Sequence, residues 1–187
     1  MKSKIVRSYV AGALLLALCL IGLAQTKSDA PQKLIIVPPG EGKLSYPGEW
    51  KIVGEQSNGA LAIVEIKAPA AAPDTGRPPH MHTREDEAWY VIDGELTFEV
   101  GGRKATAGPG TFVWAPRNIP HRYRVSKAPA RWLLMLSPAG MEPLFGEVAE
   151  LQKRIPKGSS AEYETELHKL QAKYGAQTVA EPPSKEQ

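Results

Sequence analysis

Only four histidines occur in the 187 residues, and two of them, His80 and His82, stand one residue apart in "RPPHMHTREDEAWYVIDG", residues 77–94. On an extended strand, residues two apart point to the same side. The pair can therefore aim two imidazoles into one cavity from a rigid backbone. Imidazole nitrogen binds divalent transition metals, and a carboxylate is a common companion because it offsets cation charge. Three acids follow: Glu85, Asp86 and Glu87. Strand parity does not choose among them. Glu87 lies five residues past His82, so an unbroken strand would turn it to the opposite face. The polar stretch Thr83–Asp86 must contain a turn or bulge. After that break, Glu87, Trp89 and Val91 share one face, and Ala88, Tyr90 and Ile92 share the other.

Residues 33–137 must supply the scaffold. Short strands separated by Gly and Pro are expected at Leu34–Val37, Trp50–Val53, Leu61–Lys67, Ala88–Ile92, Glu95–Val100, Lys104–Ala107, Thr111–Ala115, His121–Ser126 and Trp132–Ser137. Many short strands at near-regular spacing point to an all-β sandwich or barrel. Asp93-Gly94 between "AWYVI" and "ELTFEV" reads as a two-residue hairpin turn. Proline-rich residues 68–79 read as a loop leading into the histidines. Beyond residue 140 the period changes. Leu144, Val148, Leu151 and Ile155 form one helical stripe, and Tyr163, Leu167, Leu170 and Tyr174 form another. Ser159 and Glu162 resemble a capping box, and Gly175 marks a helix end. These apolar seams are expected to pack on the β domain, with a homodimer contact as the alternative. Residues 176–187 read as a loose polar tail.

The first 24 residues stand apart. Lys2, Lys4 and Arg7 precede an apolar run from Val10 to Ala24, too short for a membrane span and of the form of a cleaved export signal. A periplasmic or secreted chain with no stable membrane span is the expectation. Removing that segment takes three of the 23 basic residues and leaves 20 against 20 acidic ones, so the mature part is neutral and offers no nucleic-acid surface. The only cysteine, Cys19, leaves with it, so the mature part has no thiol nucleophile. No twin-arginine pair is present, so export unfolded is expected. Metal would then be acquired outside the cytosol, where Cu²⁺ and Zn²⁺ compete well.

The spacing His80-Met81-His82, four residues, Glu87, six residues, Gly94 resembles the first motif of the cupin family. The resemblance selects Glu87 among the three acids. A second cupin motif reads Gly110, five residues, Pro116, Arg117, Asn118, two residues, His121. Asn118 takes the place of a glycine, a mild change because asparagine tolerates positive φ. Val125 replaces the family's final asparagine, and Gly76 is nearer to His80 than the usual upstream glycine. The resemblance implies a jelly-roll barrel, the double-stranded β-helix of cupins, over residues 25–140. A helical extension over 141–175 and the tail follow it.

It further implies that His80, His82, Glu87 and His121 bind one divalent transition metal: Fe, Mn, Ni, Cu or Zn. Trp89 shares the face of Glu87 and Tyr123 that of His121, so both could stack on a flat small-molecule substrate. Arg122 and Arg124 alternate with them and should face outward. His168 reads as a surface residue. By resemblance to small bacterial cupins grouped with quercetin dioxygenases, the expected activity is a metal-dependent dioxygenase acting on a flavonol-like or enol-containing molecule. In that activity Glu87 serves also as a catalytic base. A non-catalytic binding protein for a carbohydrate or metabolite and a metal-dependent isomerase are the alternatives, since one fold hosts all three.

Overall fold

Two long strands carry most of the architecture. The computed structural model describes residues 33–70, 78–155 and 160–180. The export signal expected over residues 1–24, Gly76, Ser159 and the end of the tail lie outside the described residues. Strands β5 (Asp86–Val100) and β8 (His121–Ser137) run antiparallel, paired from Asp86↔Ser137 to Val100↔His121. Both change face midway. On β5 the large buried side chains are Glu87, Trp89 and Val91, then Leu96 and Phe98, with the small Ala88 buried between the first two. On β8 His121 is buried at the start, then Ala130, Trp132, Leu134 and Leu136. An odd-to-even switch is what an extra residue in a strand produces. The register shifts lie between Val91 and Leu96. The switch occurs at the same level on both strands, so the inner face stays inner while the sheet folds over.

Asp93-Gly94 is thus a bulge inside one strand and not the hairpin turn expected from sequence. Positive φ serves both purposes. What differs is the partner: the flanking segments pair with β8 and not with each other. Gly94 has φ +75°, and a Cβ there would lie 2.4 Å from the Pro129 carbonyl oxygen and 2.6 Å from Ala130 Cα. Correspondingly, His121–Ser126 and Trp132–Ser137 are two halves of one strand.

The halves divide the sheet into two layers. One layer runs β1 (Lys43–Ser45), β2 (Gly48–Ile52), β3 (Ala62–Ala68), the C-terminal half of β8, the N-terminal half of β5, and β7 (Phe112–Ala115). The other runs β9 (Ala176–Thr178), β4 (His80–His82), the N-terminal half of β8, the C-terminal half of β5, and β6 (Arg103–Ala107). This is the all-β jelly-roll expected, with two C-terminal helices. Leu34–Val37 forms no strand; Leu34 and Ile36 are 86% and 76% exposed.

Helix α1 (Glu142–Arg154) buries Leu144, Phe145, Val148 and Leu151, with Phe145 against Trp50 at 5.7 Å between ring centroids. Helix α2 (Ala161–Tyr174) buries Tyr163 and places Leu167, Leu170 and Tyr174 on the same core. The seams are therefore satisfied within the chain. The cap of α2 is Ser160, whose side chain accepts from the Tyr163 N–H, one residue later than expected. Gly175 ends the helix in the left-handed region at φ 79°. Ala176–Thr178, expected to be loose, instead forms β9 alongside β4. Polar side chains signal exposure, but they do not exclude backbone pairing at a sheet edge. No described helix is long and apolar enough to cross a membrane.

Gly94→Ala is expected to lower stability by about 3–5 kcal/mol in urea unfolding, since left-handed strain and overpacking add. Gly102→Ala, at φ +79° with nothing within 4 Å, should cost only about 1–2 kcal/mol. Equal losses would refute the bulge packing.

Candidate metal centre

Strand β4 is three residues long, and it presents His80 and His82 inward with Met81 between them. His80 is the direct register partner of His121 at the start of β8, and cross-strand partners share a face. Three imidazoles thus come from one layer. Glu87 comes from the other, on the N-terminal half of β5 between Ala115 and Leu136. All four residues are buried, and one ligand atom from each lies within 4.8 Å of the others. Glu87 Oε2 is 2.8 Å from His121 Nε2 and 3.2 Å from His82 Nε2.

The outer nitrogens are held as well. His80 Nδ1–H donates to the Pro78 carbonyl at 3.1 Å and His121 Nδ1–H to the Ile119 carbonyl at 2.9 Å. A carbonyl only accepts, so each ring carries a proton on Nδ1, and Nε2 is the atom each can offer to a cation that displaces any proton there. His82 Nδ1 lies 2.7 Å from Glu85 Oε1, while its Nε2 faces the centre, buried and without a completed hydrogen bond among the described residues. A buried nitrogen of this kind needs a partner. Three nitrogens and one carboxylate oxygen converging there are a donor set that fits a divalent transition metal.

Charge is balanced locally. Burial by itself would push the Glu87 carboxyl up; His121 and His82 outweigh it and hold it well below the usual carboxylate range. Burial opposes a proton on His82, and Glu85 and Glu87 overcome that, raising its pKa to about 9 from 6.5. Glu87 therefore stays anionic, as a cation ligand must.

The turn between His82 and Glu87 sorts the three acids. Asp86 faces Arg117, which grips it with Nε at 3.1 Å, a terminal nitrogen at 3.0 Å and the backbone N–H at 2.8 Å. The other terminal nitrogen of Arg117 donates to the Arg84 carbonyl. Asp86, which residue type alone left open as a ligand, is a structural clamp between the two motif loops. Glu85 is buried with Oε1 2.7 Å from His82 Nδ1. Sequence reasoning set it aside once the motif spacing favoured Glu87. Its position three residues after His82, within one turn, was the signal for it. Asn118 adopts φ 63° and donates its N–H to the His82 carbonyl at 2.7 Å, as the expected glycine substitute.

Trp89 and Tyr123 are both brought near the cluster, behind His121. Trp89 is fully enclosed, its ring edge-on to His121 at 5.7 Å and tilted against Tyr123 at 5.5 Å. Neither lines the cavity beside His80. Arg122 lies on the outer side, ion-paired to Glu99 at 2.9 Å, and His168 is exposed.

A family model described as "Cupin domain" matches residues 70–136, the segment that holds all four cluster residues. Residues 70–136 are a cupin domain. It is similar to quercetin 2,3-dioxygenase of Bacillus subtilis (strain 168), with 27% identity over 114 residues. That match covers 59% of this chain and only 33% of the relative, so this cupin spans about a third of the enzyme it resembles. Among solved structures it is similar to KdgF from Halomonas sp., with a TM-score of 0.47 and 24% identity over 60% of this chain and 99% of the other. It also matches Streptomyces Pac13, described as a nucleoside dehydratase, with a TM-score of 0.37 and 18% identity over 46% and 65% of the two chains.

His82→Ala is expected to abolish stoichiometric binding of Zn²⁺ or Cu²⁺ in titration calorimetry. Glu85→Gln should keep the ligand set and weaken binding about 10- to 100-fold; unchanged affinity would remove Glu85 from the centre. The Asp86–Arg117 contact gives a pH signature. Arg117 holds the Asp86 carboxyl below its ordinary value. Its stabilisation is thus present above about pH 4 and is lost as pH falls through the depressed value. Arg117→Ala should lower stability only slightly at pH 7, as expected for a solvent-screened pair. The gap from the unsubstituted chain should close on acidification, and a gap independent of pH would contradict this account.

Proposed function

We propose that this cupin is an exported, metal-dependent dioxygenase acting on an enol-containing or flavonol-like small molecule. The buried cluster of His80, His82, Glu87 and His121 carries the reading. The similarity to a quercetin dioxygenase supports the reaction class. His80, His82, Glu87 and His121 would hold a divalent transition metal. A transition metal bound there supplies reactivity toward dioxygen, with both oxygen atoms entering the organic product, so no external reductant is needed.

The chain's own groups bind, orient and move a proton. The Pro78 and Ile119 carbonyls fix the rings of His80 and His121. Glu85 orients His82. Trp89 backs His121 and excludes water from behind it, with Tyr123 packed against Trp89, so both rings support the ligand set from behind and do not stack on substrate. Glu87 takes the proton from the substrate hydroxyl at Oε2. The His121 and His82 contacts that keep it anionic must loosen as it does so, because a proton acceptor needs a free lone pair within hydrogen-bond reach. Residues 1–24 direct the chain out of the cytosol.

Oxygen-electrode measurements on the metal-reconstituted protein should show consumption with a member of a panel of flavonols and small cyclic enols. His82→Ala should show none. Melting-temperature shifts with the same compounds, without oxygen uptake, would replace the dioxygenase by a binding protein. N-terminal sequencing of protein recovered outside the cytosol should begin after Ala24.

A further inference from the structure

The two C-terminal helices do more than cover the barrel. A cavity of about 60 Å³ lies between them and the centre, and His80 belongs to both the cavity and the cluster. Leu144 and Val148 of α1 and Leu167 of α2 supply its apolar walls. Its polar edge is made by Gln152, Tyr163 and Gln171. No Lys, Arg, Asp or Glu is among its described lining residues.

That edge keeps hydrogen-bond donors that no described residue accepts. Gln152 Nε2 lies 3.3 Å from the hydroxyl of Tyr163, a residue only 1% exposed. With the amide as placed, the tyrosine O–H proton has no acceptor among the described residues. With the amide turned over, the tyrosine is satisfied and both N–H groups of Gln152 are left. Either way the pair retains an unspent donor, which costs stability in a dry setting unless something accepts it. Gln171 Oε1 accepts from Thr178 Oγ1 at 3.1 Å, which leaves its amide N–H groups as further donors.

We infer that this helix-walled cavity is the small-molecule site, and that it takes a neutral one-ring molecule whose carbonyl or hydroxyl oxygen accepts from the Tyr163–Gln152 pair. A single water needs roughly 10–15 Å³ of such space. The cavity thus holds about four to six waters' worth, the room of one six-membered ring and too little for three, which narrows the substrate class proposed above to one-ring enols. The described walls carry no charged side chain, which disfavours carboxylate or phosphate ligands, because a buried ion needs a partner. The orientation of the ligand's reactive end toward His80 rests on the reading of the metal centre given above; occupancy of the cavity does not.

Acetophenone is the probe, being one neutral ring with one acceptor oxygen; α-methylstyrene has the same shape without the acceptor. Binding to the full chain is measured by calorimetry with and without bound Zn²⁺, after metal content has been determined separately. Acetophenone should bind saturably in both states, with α-methylstyrene about three- to tenfold weaker. Leu167→Trp should fill the cavity and abolish binding. Tyr163→Phe, which keeps the packing, should weaken acetophenone about threefold and leave α-methylstyrene unchanged. Full metal content with no acetophenone binding would overturn the cavity assignment and leave the metal centre intact. Tighter binding of quercetin, displacing acetophenone, would overturn the size class. Acetophenone binding in the absence of any metal uptake would uphold the cavity and remove the metal-centre reading.

Discussion

A carboxylate buried between two β layers has to be compensated, and the centre of this protein is organised around that demand. Taking an ion out of water costs several kcal/mol even after the surroundings relax. Glu87 meets the cost with imidazoles from the opposite layer, held 2.8 and 3.2 Å away. The compensation works only if the layers stay in register, because a slip of one residue on β8 or β4 would turn His121 or His82 away from it. Packing around Trp89, Phe98 and Leu134 is what prevents that slip. Electrostatics at the site and apolar packing below it are one constraint: the core fixes the distance at which the charges meet.

The double bend of β5 and β8 makes two layers from one pair of strands. Each strand switches its inward parity at the same level, so Glu87 and Trp89 face inward on one side of the bend and Leu96 and Phe98 on the other. The close approach of Gly94 to Pro129 and Ala130 marks where the strands cross most tightly. Without that crossing, the carboxylate on the first half of β5 and the histidine at the start of β8 would lie at far ends of a flat ribbon.

The histidine-bearing strand has only three residues, too few to hold itself. It is tied on one side by the second motif, through the Asn118 N–H to the His82 carbonyl, and on the other by β9. Thr83 adds two bonds to the Gly175 carbonyl, from its N–H at 2.8 Å and its hydroxyl at 2.9 Å. Residues after the second helix thereby reach back to the ligand strand. The helices between wall the cavity beside His80. The C-terminal extension is part of the site's construction, and a barrel cut off after residue 140 would lose one of the two supports of β4.

Much of this was legible in the residues themselves. The His80-x-His82 spacing, the parity of Glu87 with Trp89 and Val91, the positive φ at Asn118 and the glycine stop at Gly175 are local matters, set by backbone periodicity and the conformational range of single residues. Sequence also limited the ligand acid to three adjacent candidates, and only family resemblance separated them. The assignment of each acid was tertiary: Asp86 turns out because Arg117, distant in the chain, meets it, and Glu85 turns in because His82 offers it a ring nitrogen. Asp93-Gly94 carries the same local signal for a hairpin and for a bulge, and which one forms depends on whether β8 pairs with both flanks. Tail residues 176–178 show no pattern of their own, because their order comes from the open edge of β4. Residue order set which side chains could do chemistry and how the chain alternates. Which of them meet was decided by long-range pairing, whose energy resides in partners that no local window contains.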